Sequence, residues 1–504
     1  MTRQRSLVLV TVDCLRADHV GFLGYPRPTT PFLDTLALHS YVFPSAIVAG
    51  APTYFSFPAI LASRFPLALG RDVLGIAPTE PTLASALQAC GWTTAAFLAG
   101  NPYLSQRCGY DEGFDTFRDI LAEDLPCDST SSEGEMDTHF TRLNRFLERN
   151  ARRNERTAAG YEELYFLYCQ WLASRRQETM EGLRPYPAAD TIVDQASSWI
   201  SSQGDQPFFL WLHLMDPHHP YYPPEEALAA IGRADISPSR ARFWNASWSR
   251  GHINCKRLQR YRDEIVTLYD AGIQWADTQI SRLIRTLQHS CRWDDTVFAV
   301  TGDHGEEFLE HGRRFHAPED LADELIHVPL LLRVPGMNGT ILPNEPFSLI
   351  HLAPTLLDVL DVPSPTTFRG ASYWPDISKG QLPKLTAVTE CIEGCNNPLQ
   401  RSNRLGQRLL SVRDASYKVL VRFGNSTDIM FDLKNDPGEY CPLPRDAKPA
   451  ERAQLLRVAR EHVTSPPQAS DPEFRLRACL REFCQQLSFR RNAAEPLLGE
   501  IQVH

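Results

Sequence analysis

The chain has 504 residues, 43% of them hydrophobic and 22% charged, a globular composition that excludes intrinsic disorder as its organising state. At this length one large core plus a smaller unit is the expected partition. A net charge of −10 leaves no basic footprint for nucleic acid or an anionic membrane surface, and no apolar run approaches the roughly 20 residues of a bilayer span.

Met1 to Arg5 run straight into an apolar strand, Leu7–Val12. That run is too short for a secretion signal and has no small-residue cleavage site, so a cytoplasmic location is expected. A helix over Thr82–Ala89 and a strand over Trp92–Leu98 follow. Residues 120 to 187 carry amphipathic helical patterns without strand signal and read as a helical insertion. Beyond it come a helix (Ala188–Ser202), a strand (Pro207–His213), a long helix (Lys256–Gln288), two strands (Thr296–Thr301, Val328–Val334) and a helix (Leu349–Leu360). This alternation predicts an α/β fold with a large, mainly parallel central sheet flanked by helices. After about residue 380, the short runs Leu409–Val412, Lys418–Phe423 and Asp428–Leu433 predict a small antiparallel sheet, and Ala450–Val463 and Pro472–Leu487 two terminal helices. The division expected is 1–375 for the large domain and 376–504 for the small one. Twelve cysteines are scattered from Cys14 to Cys484 and are expected to be reduced; Cys391 and Cys395 have no second pair at zinc-site spacing.

Four segments carry chemistry-bearing residues. The first strand closes on Asp13 and continues Cys14-Leu15-Arg16-Ala17-Asp18-His19; TYFSFPAILASRFP occupies Thr53–Pro66. FFLWLHLMDPHHPYYPP begins at Phe208, and VFAVTGDHGEEFLEHG begins at Val297. In this order they resemble the landmarks of the sulfatase family, within the wider alkaline phosphatase superfamily. The segments ELIHVPLLLRVPG, HLAPTLLDVL and YKVLVRFGNSTDIMFDLKNDPGE are similar to its later landmarks, so the resemblance runs from residue 6 to about 440. Against the family pattern C-x-P-S-R, Thr53 stands at the cysteine normally oxidised to formylglycine. Ser56 falls on the serine, Phe55 on the proline and Phe57 on the arginine; Cys14 occupies the place of a second aspartate.

The resemblance implies a metal-dependent ester hydrolase: Asp13, Asp303 and His304 as metal ligands joined by Thr53, with Thr53 also the nucleophile. It implies that His218, in the P-H of DPHHP, contacts the transferred group or protonates the leaving oxygen. His316, near where the family carries a lysine, is the third catalytic candidate. Asp216 and His213 are candidates for a second metal or for substrate contact. The residue types agree. In open α/β sheets ligands gather beyond the carboxyl ends of strands, where Asp13 and Asp303-His304 lie. Two carboxylates and an imidazole suit Mn²⁺, Zn²⁺ or Fe²⁺ better than Ca²⁺ or Mg²⁺, with one site expected and room for a second. Each residue also has a plain alternative: Asp13 a cap, Asp303-His304-Gly305 a turn, Thr53 a helix N-cap, His213 and Asp216 strand-end residues, and His219 a solvated side chain. Glu306, Glu307 and His311 read as ordinary loop residues, with support of the residues around the site as the alternative.

A threonyl ester must be cleaved by water, whereas formylglycine can expel sulfate by collapsing to an aldehyde. Chemistry therefore favours phosphate or phosphonate esters in a small anionic substrate. A sulfatase working without formylglycine and a phospho-group transferase stay open, as does a non-catalytic anion-binding or scaffold relative. The sequence leaves the oligomeric state open.

Overall fold

The computed structural model describes residues 4–121, 179–249, 255–424 and 427–498, with single positions between 147 and 167. Most of the helical insertion expected over 120–187 lies outside the described residues; Met180–Leu183 forms one helical turn at its end.

Three heptapeptides build the centre: β1 (Ser6–Val12), β5 (Phe208–Leu214) and β6 (Thr296–Gly302), with every residue buried. Their almost unbroken apolar runs are what a strand covered on both faces requires. With β2 (Tyr41–Ile47), β3 (Thr93–Leu98), β4 (Thr116–Asp119), β9 (His327–Arg333) and β10 (Phe347–Ser348) they form an eight-stranded sheet ordered β10-β2-β9-β6-β1-β5-β3-β4. Only β9 runs against its neighbours, pairing antiparallel with both β2 and β6. Two apolar cores cover the two faces. The expected α/β architecture is the observed one, with three strands the sequence pattern passed over, the two-residue β10 among them. β2 carries Pro44, and its register slips between Phe43 and Ala46, a bulge that accommodates the missing N–H. β4 is a four-residue edge strand with mixed exposure, too short for a period to show.

Helix α1 (Pro31–Ala37) precedes β2, and helix α2 (Thr53–Ala62) follows it. All ten residues of α2 are buried. A helix apolar all round belongs inside a protein, and its Phe55, Phe57, Ile60 and Leu61 each contribute about 1.5–3 kcal/mol of burial. The turn into α2 is close-packed: a Cβ on Gly50 would lie 2.5 Å from the Phe55 carbonyl oxygen.

A hairpin, β7 (Glu307–Phe308) with β8 (Arg314–Phe315), follows β6. The second sheet is an antiparallel meander of β11 (Ala387–Ile392), β12 (Arg408–Arg413), β13 (Tyr417–Arg422) and β14 (Thr427–Asp432). The helix Pro449–Thr464 packs on it through Leu455 and Ala459. This sheet braces the loop before α2: Glu390 N–H donates to Ala49 O (3.0 Å), and Thr389 Oγ1 donates to Val48 O (2.5 Å). Lys418, fully buried, bridges Asp323 (3.0 Å) and Glu439 (2.6 Å) and ties β13 to the segment entering β9.

Candidate active site

The site lies beyond the carboxyl ends of β1, β5, β6 and β3. Parallel strands stop in the same plane, so their successors Asp13, Asp303 and Asn101 converge. Asp13, Asp303 and His304 are fully buried and Thr53 nearly so, at 4% exposure.

Asp303 Oδ1 accepts the backbone N–H of His304 (2.9 Å) and of Cys14 (3.3 Å), whereas its buried Oδ2 has no hydrogen-bond partner. Asp13 Oδ2 accepts from Asn101 Nδ2 (3.1 Å) and stands 3.2 Å from His213 Nε2. His304 donates its Nδ1–H to the Gly305 carbonyl (2.8 Å), which leaves a lone pair on Nε2. The Thr53 hydroxyl donates to that nitrogen across 3.0 Å. Nε2 also lies 3.5 Å from Asp13 Oδ1 and 3.6 Å from Asp303 Oδ2. Gly305 is required next: a Cβ there would sit 1.9 Å from the Glu324 carbonyl oxygen.

Burial and the Asp13 charge push Asp303 well above the ordinary carboxylate range. Burial would push Asp13 up too, but the imidazoles of His218, His213 and His304 hold it well below that range. Burial, then His316, lowers His304 to about 4, so it is a neutral base. Two buried carboxylates, an orphaned oxygen and an imidazole lone pair aimed between them fit a divalent cation, and the Thr53 hydroxyl lies beside that imidazole. Thr53 opens α2, where the first N–H groups have no intrahelical acceptor and the helix dipole is positive.

His213 is fixed from behind. Trp211 Nε1 donates to Thr11 Oγ1 (3.0 Å), and Thr11 donates to the Leu212 carbonyl (3.1 Å). Thr11 Oγ1 also lies 3.0 Å from His213 Nδ1, which turns Nε2–H toward Asp13 Oδ2. His218 and His316 stand on the other side of Asp13, their ring centroids 5.0 Å apart, and His316 lies 4.7 Å from His304. The His316 side chain is 23% exposed, against 0% for Asp13 and His304, so solvent reaches the site on this side.

Asp216 is placed elsewhere. Its Oδ1 accepts the Ala189 N–H (3.2 Å) at the head of the helix Ala189–Ser202, and burial pushes it up to about 6. Among the described residues it belongs to none of the donor clusters, its Oδ1 being turned back at that helix. His219 is half-buried against Phe315 (4.6 Å) rather than solvated. Glu306 and Glu307 are no ordinary loop residues either. Both are buried, and Glu306 Oε2 pairs with His316 Nδ1 at 3.2 Å. That carboxylate raises the His316 pKa against the opposing effect of burial. Sequence reasoning also passed over Asn101, whose signal was its place just after a predicted strand.

A model of the Sulfatase family matches residues 5–362, which is more than half of the chain. The chain belongs to the Sulfatase family. An arylsulfatase of Clostridium perfringens is 24% identical over 487 residues, covering 90% of this chain and 92% of that one. The multifunctional alkaline phosphatase superfamily protein PehA of Trinickia caryophylli is 23% identical over 518 residues (92% and 95%). The phosphonate monoester hydrolase of Agrobacterium radiobacter superposes with a TM-score of 0.60 at 18% identity, covering 92% of this chain and 95% of that one. BT4656, solved with D-glucosamine-2-N,6-O-disulfate, superposes with a TM-score of 0.63 at 16% identity (92% and 100%). This sulfatase-family chain is thus an ester hydrolase of the sulfatase/alkaline phosphatase superfamily, a family whose enzymes use a divalent metal ion. Among the described residues no helix is long and apolar enough to cross a membrane.

Proposed function

We propose that this chain hydrolyses small phosphate or phosphonate esters through a covalent intermediate on Thr53. The observation that carries the reading is the Thr53 hydroxyl at the head of α2, 3.0 Å from His304 Nε2 and beside the Asp13–Asp303 pair. Asp13, Asp303, His304 and Thr53 Oγ1 would hold a divalent ion there, Mn²⁺, Zn²⁺ or Fe²⁺ by donor type, and that ion supplies positive charge that lowers the pKa of a bound hydroxyl.

The chain's own groups do the rest. Thr53 Oγ1 attacks phosphorus in line as the bond to the leaving oxygen breaks; Thr53 gives up a proton, and the leaving oxygen takes one up. The leading N–H groups of α2 face the equatorial oxygens of the transferred group. His218 and His316, on the side open to solvent, serve the leaving oxygen. Water then attacks the phosphothreonine, the Oγ1–P bond breaks, and Oγ1 regains its proton. Asn101 and His213 keep Asp13 oriented.

Sulfate esters are the second reading, favoured by the Clostridium perfringens arylsulfatase relative. The test is turnover of p-nitrophenyl sulfate, phosphate, phosphodiester and phosphonate, followed by acid quench and peptide mass spectrometry. The expected result is phosphoester turnover with a phosphoryl adduct on Thr53. Sulfate turnover alone, or an adduct on another residue, overturns it.

A further inference from the structure

Resting on that reading, we propose that the cavity lined by Arg107 and Arg118 is an anion-binding subsite for a remote part of the substrate. The substrate is then an extended ester with a second negative group roughly 14 Å from the one transferred. The cavity has a volume of about 520 Å³, within the range of about 300–1,000 Å³ of ligand sites. Three separate elements line it: Ser105 with the helical turn Gln106–Cys108, the edge strand β4 with Ile120 after it, and Gln195 on the helix Ala189–Ser202. β1, β5, β3 and β4 run parallel, so the end of β4 lies on the same side of the sheet as Asp13. In the order β1-β5-β3-β4 it stands three strand spacings of about 4.8 Å from β1, roughly 14 Å. One loop joins the two places. Asn101 donates to Asp13 Oδ2 and accepts the Tyr103 N–H on its Oδ1 (3.0 Å); the Tyr103 ring packs on Tyr54, next to Thr53, at 5.0 Å. The same loop then runs on through Ser105 to Arg107. Gly100 fixes it to the end of β4, since a Cβ there would lie 2.9 Å from the Ile120 carbonyl oxygen.

The donors at this cavity have no work inside the protein. Among the described residues the side chains of Gln106, Arg107, Arg118 and Gln195 are exposed and make no hydrogen bond or ion pair. Arginine elsewhere in this acidic chain is spent on carboxylates: Arg16 on Asp18 and Glu310, Arg64 on Glu80, Arg413 on Asp323. Asp119 is the one carboxylate of the lining, so two guanidinium groups against it leave the cavity positive in a chain of net charge −10. Arginines that serve solubility alone stand apart in water. Two brought to one cavity repel each other, a cost that an anion between them reverses. Guanidinium forks take the oxygens of phosphate, sulfate or carboxylate in pairs, and the amide N–H groups of Gln106 and Gln195 add further donors. An ester with its phosphorus at Thr53 and its second anion here lies along the Asn101–Arg107 loop, over Tyr103. A small aryl ester gains nothing from the subsite, whereas the extended substrate draws binding energy from it.

The test is calorimetric titration of the full chain, supplied with Mn²⁺, with alkane bisphosphonates carrying one phosphonate at each end of two, six or ten carbons. Decyl monophosphonate is the control for the apolar chain. None of these is hydrolysed, so binding is read without turnover. Only the ten-carbon chain spans roughly 14 Å. Wild type is expected to hold it about tenfold tighter than the shorter bisphosphonates or the monophosphonate, through the effective concentration that a tether of matching length supplies. Arg107→Gln combined with Arg118→Gln should abolish that gain while leaving monophosphonate affinity and p-nitrophenyl ester turnover unchanged. Arg285→Gln, at an exposed arginine of the helix Cys255–His289, should keep the gain. Affinity independent of chain length, or a gain that survives the double substitution, overturns the subsite. The gain with no ester turned over overturns the hydrolytic reading alone, and turnover without the gain overturns the subsite alone.

Discussion

Replacing Thr53 by Ala and by Ser separates the hydroxyl from the rest of the side chain. Thr53→Ala removes the only atom assigned to form a bond with the substrate, while the other residues of the site keep their contacts. Loss of a nucleophile costs about 10⁴-fold or more in kcat, about 5.5 kcal/mol in the barrier. Thr53→Ser keeps the oxygen and deletes one methyl from a side chain only 4% exposed. That deletion forfeits about 0.8 kcal/mol of burial. It also frees χ1 from its β-branched restriction, a cost of roughly RT ln 3, or about 0.6 kcal/mol, in holding Oγ on His304. The burial loss lowers folding stability; the rotamer cost alone bears on the barrier and predicts a fall of about threefold in kcat/KM for Ser against about 10⁴-fold for Ala, with KM little changed in both. The assay is steady-state turnover of the best p-nitrophenyl ester at saturating metal, with intact-mass detection of the acid-quenched adduct. Ala within tenfold of wild type would refute the nucleophile assignment. Ser as inactive as Ala would refute the argument that the hydroxyl alone carries the reaction.

Three further predictions concern the frame around the site. Lys418→Met leaves Glu439 buried without its cation, while Asp323 keeps Arg413 at 2.6 Å, and should cost about 3–5 kcal/mol at neutral pH in urea unfolding. The deficit should be smaller at pH 6 than at pH 8, because Glu439, already pushed up to about 7 by burial, then takes a proton; an equal deficit at both would argue against the pairing. Glu390 is held down to about 2 by His462 and Arg408 despite its burial. Its contribution is complete above pH 4.5 and is lost as pH falls toward 2, about 3 kcal/mol in all, so Glu390→Gln should flatten the acid limb of stability against pH. An unchanged slope would remove Glu390 from the account. Phe57→Ala empties a fully buried site against Trp211, Tyr110 and His213 and should cost about 3–5 kcal/mol by thermal unfolding. A loss under 1 kcal/mol would mean the surroundings collapse to fill it.

The sequence alone determined the elements whose signal is local. β1, β5 and β6 are almost unbroken apolar heptapeptides, and the residue that follows each such run falls at the mouth of a parallel sheet by chain geometry. That Asp13 and Asp303-His304 would come together at strand ends was therefore legible, and the segment around Thr53 marked it as a candidate beside them. The ordered landmarks along the chain carried the family, which the match over residues 5–362 shows. Tertiary structure decided what depends on direction and approach. Side-chain period says nothing of strand polarity, so the reversal of β9 appeared only in its pairing with β2 and β6. Asp216, two residues from His218, turns back to the helix Ala189–Ser202, whereas Glu306, in a loop between two short segments, swings under His316. Cys14 is the sharpest case. In the chain it is simply the neighbour of Asp13, and adjacent strand-end residues ordinarily point to opposite sides. A left-handed backbone at that one position, held by Tyr269 and Asp303, brings its sulfur round to Asp13 Oδ1 and His316. A dihedral angle and three long-range contacts made that choice, and none of them is written in the local order of residues.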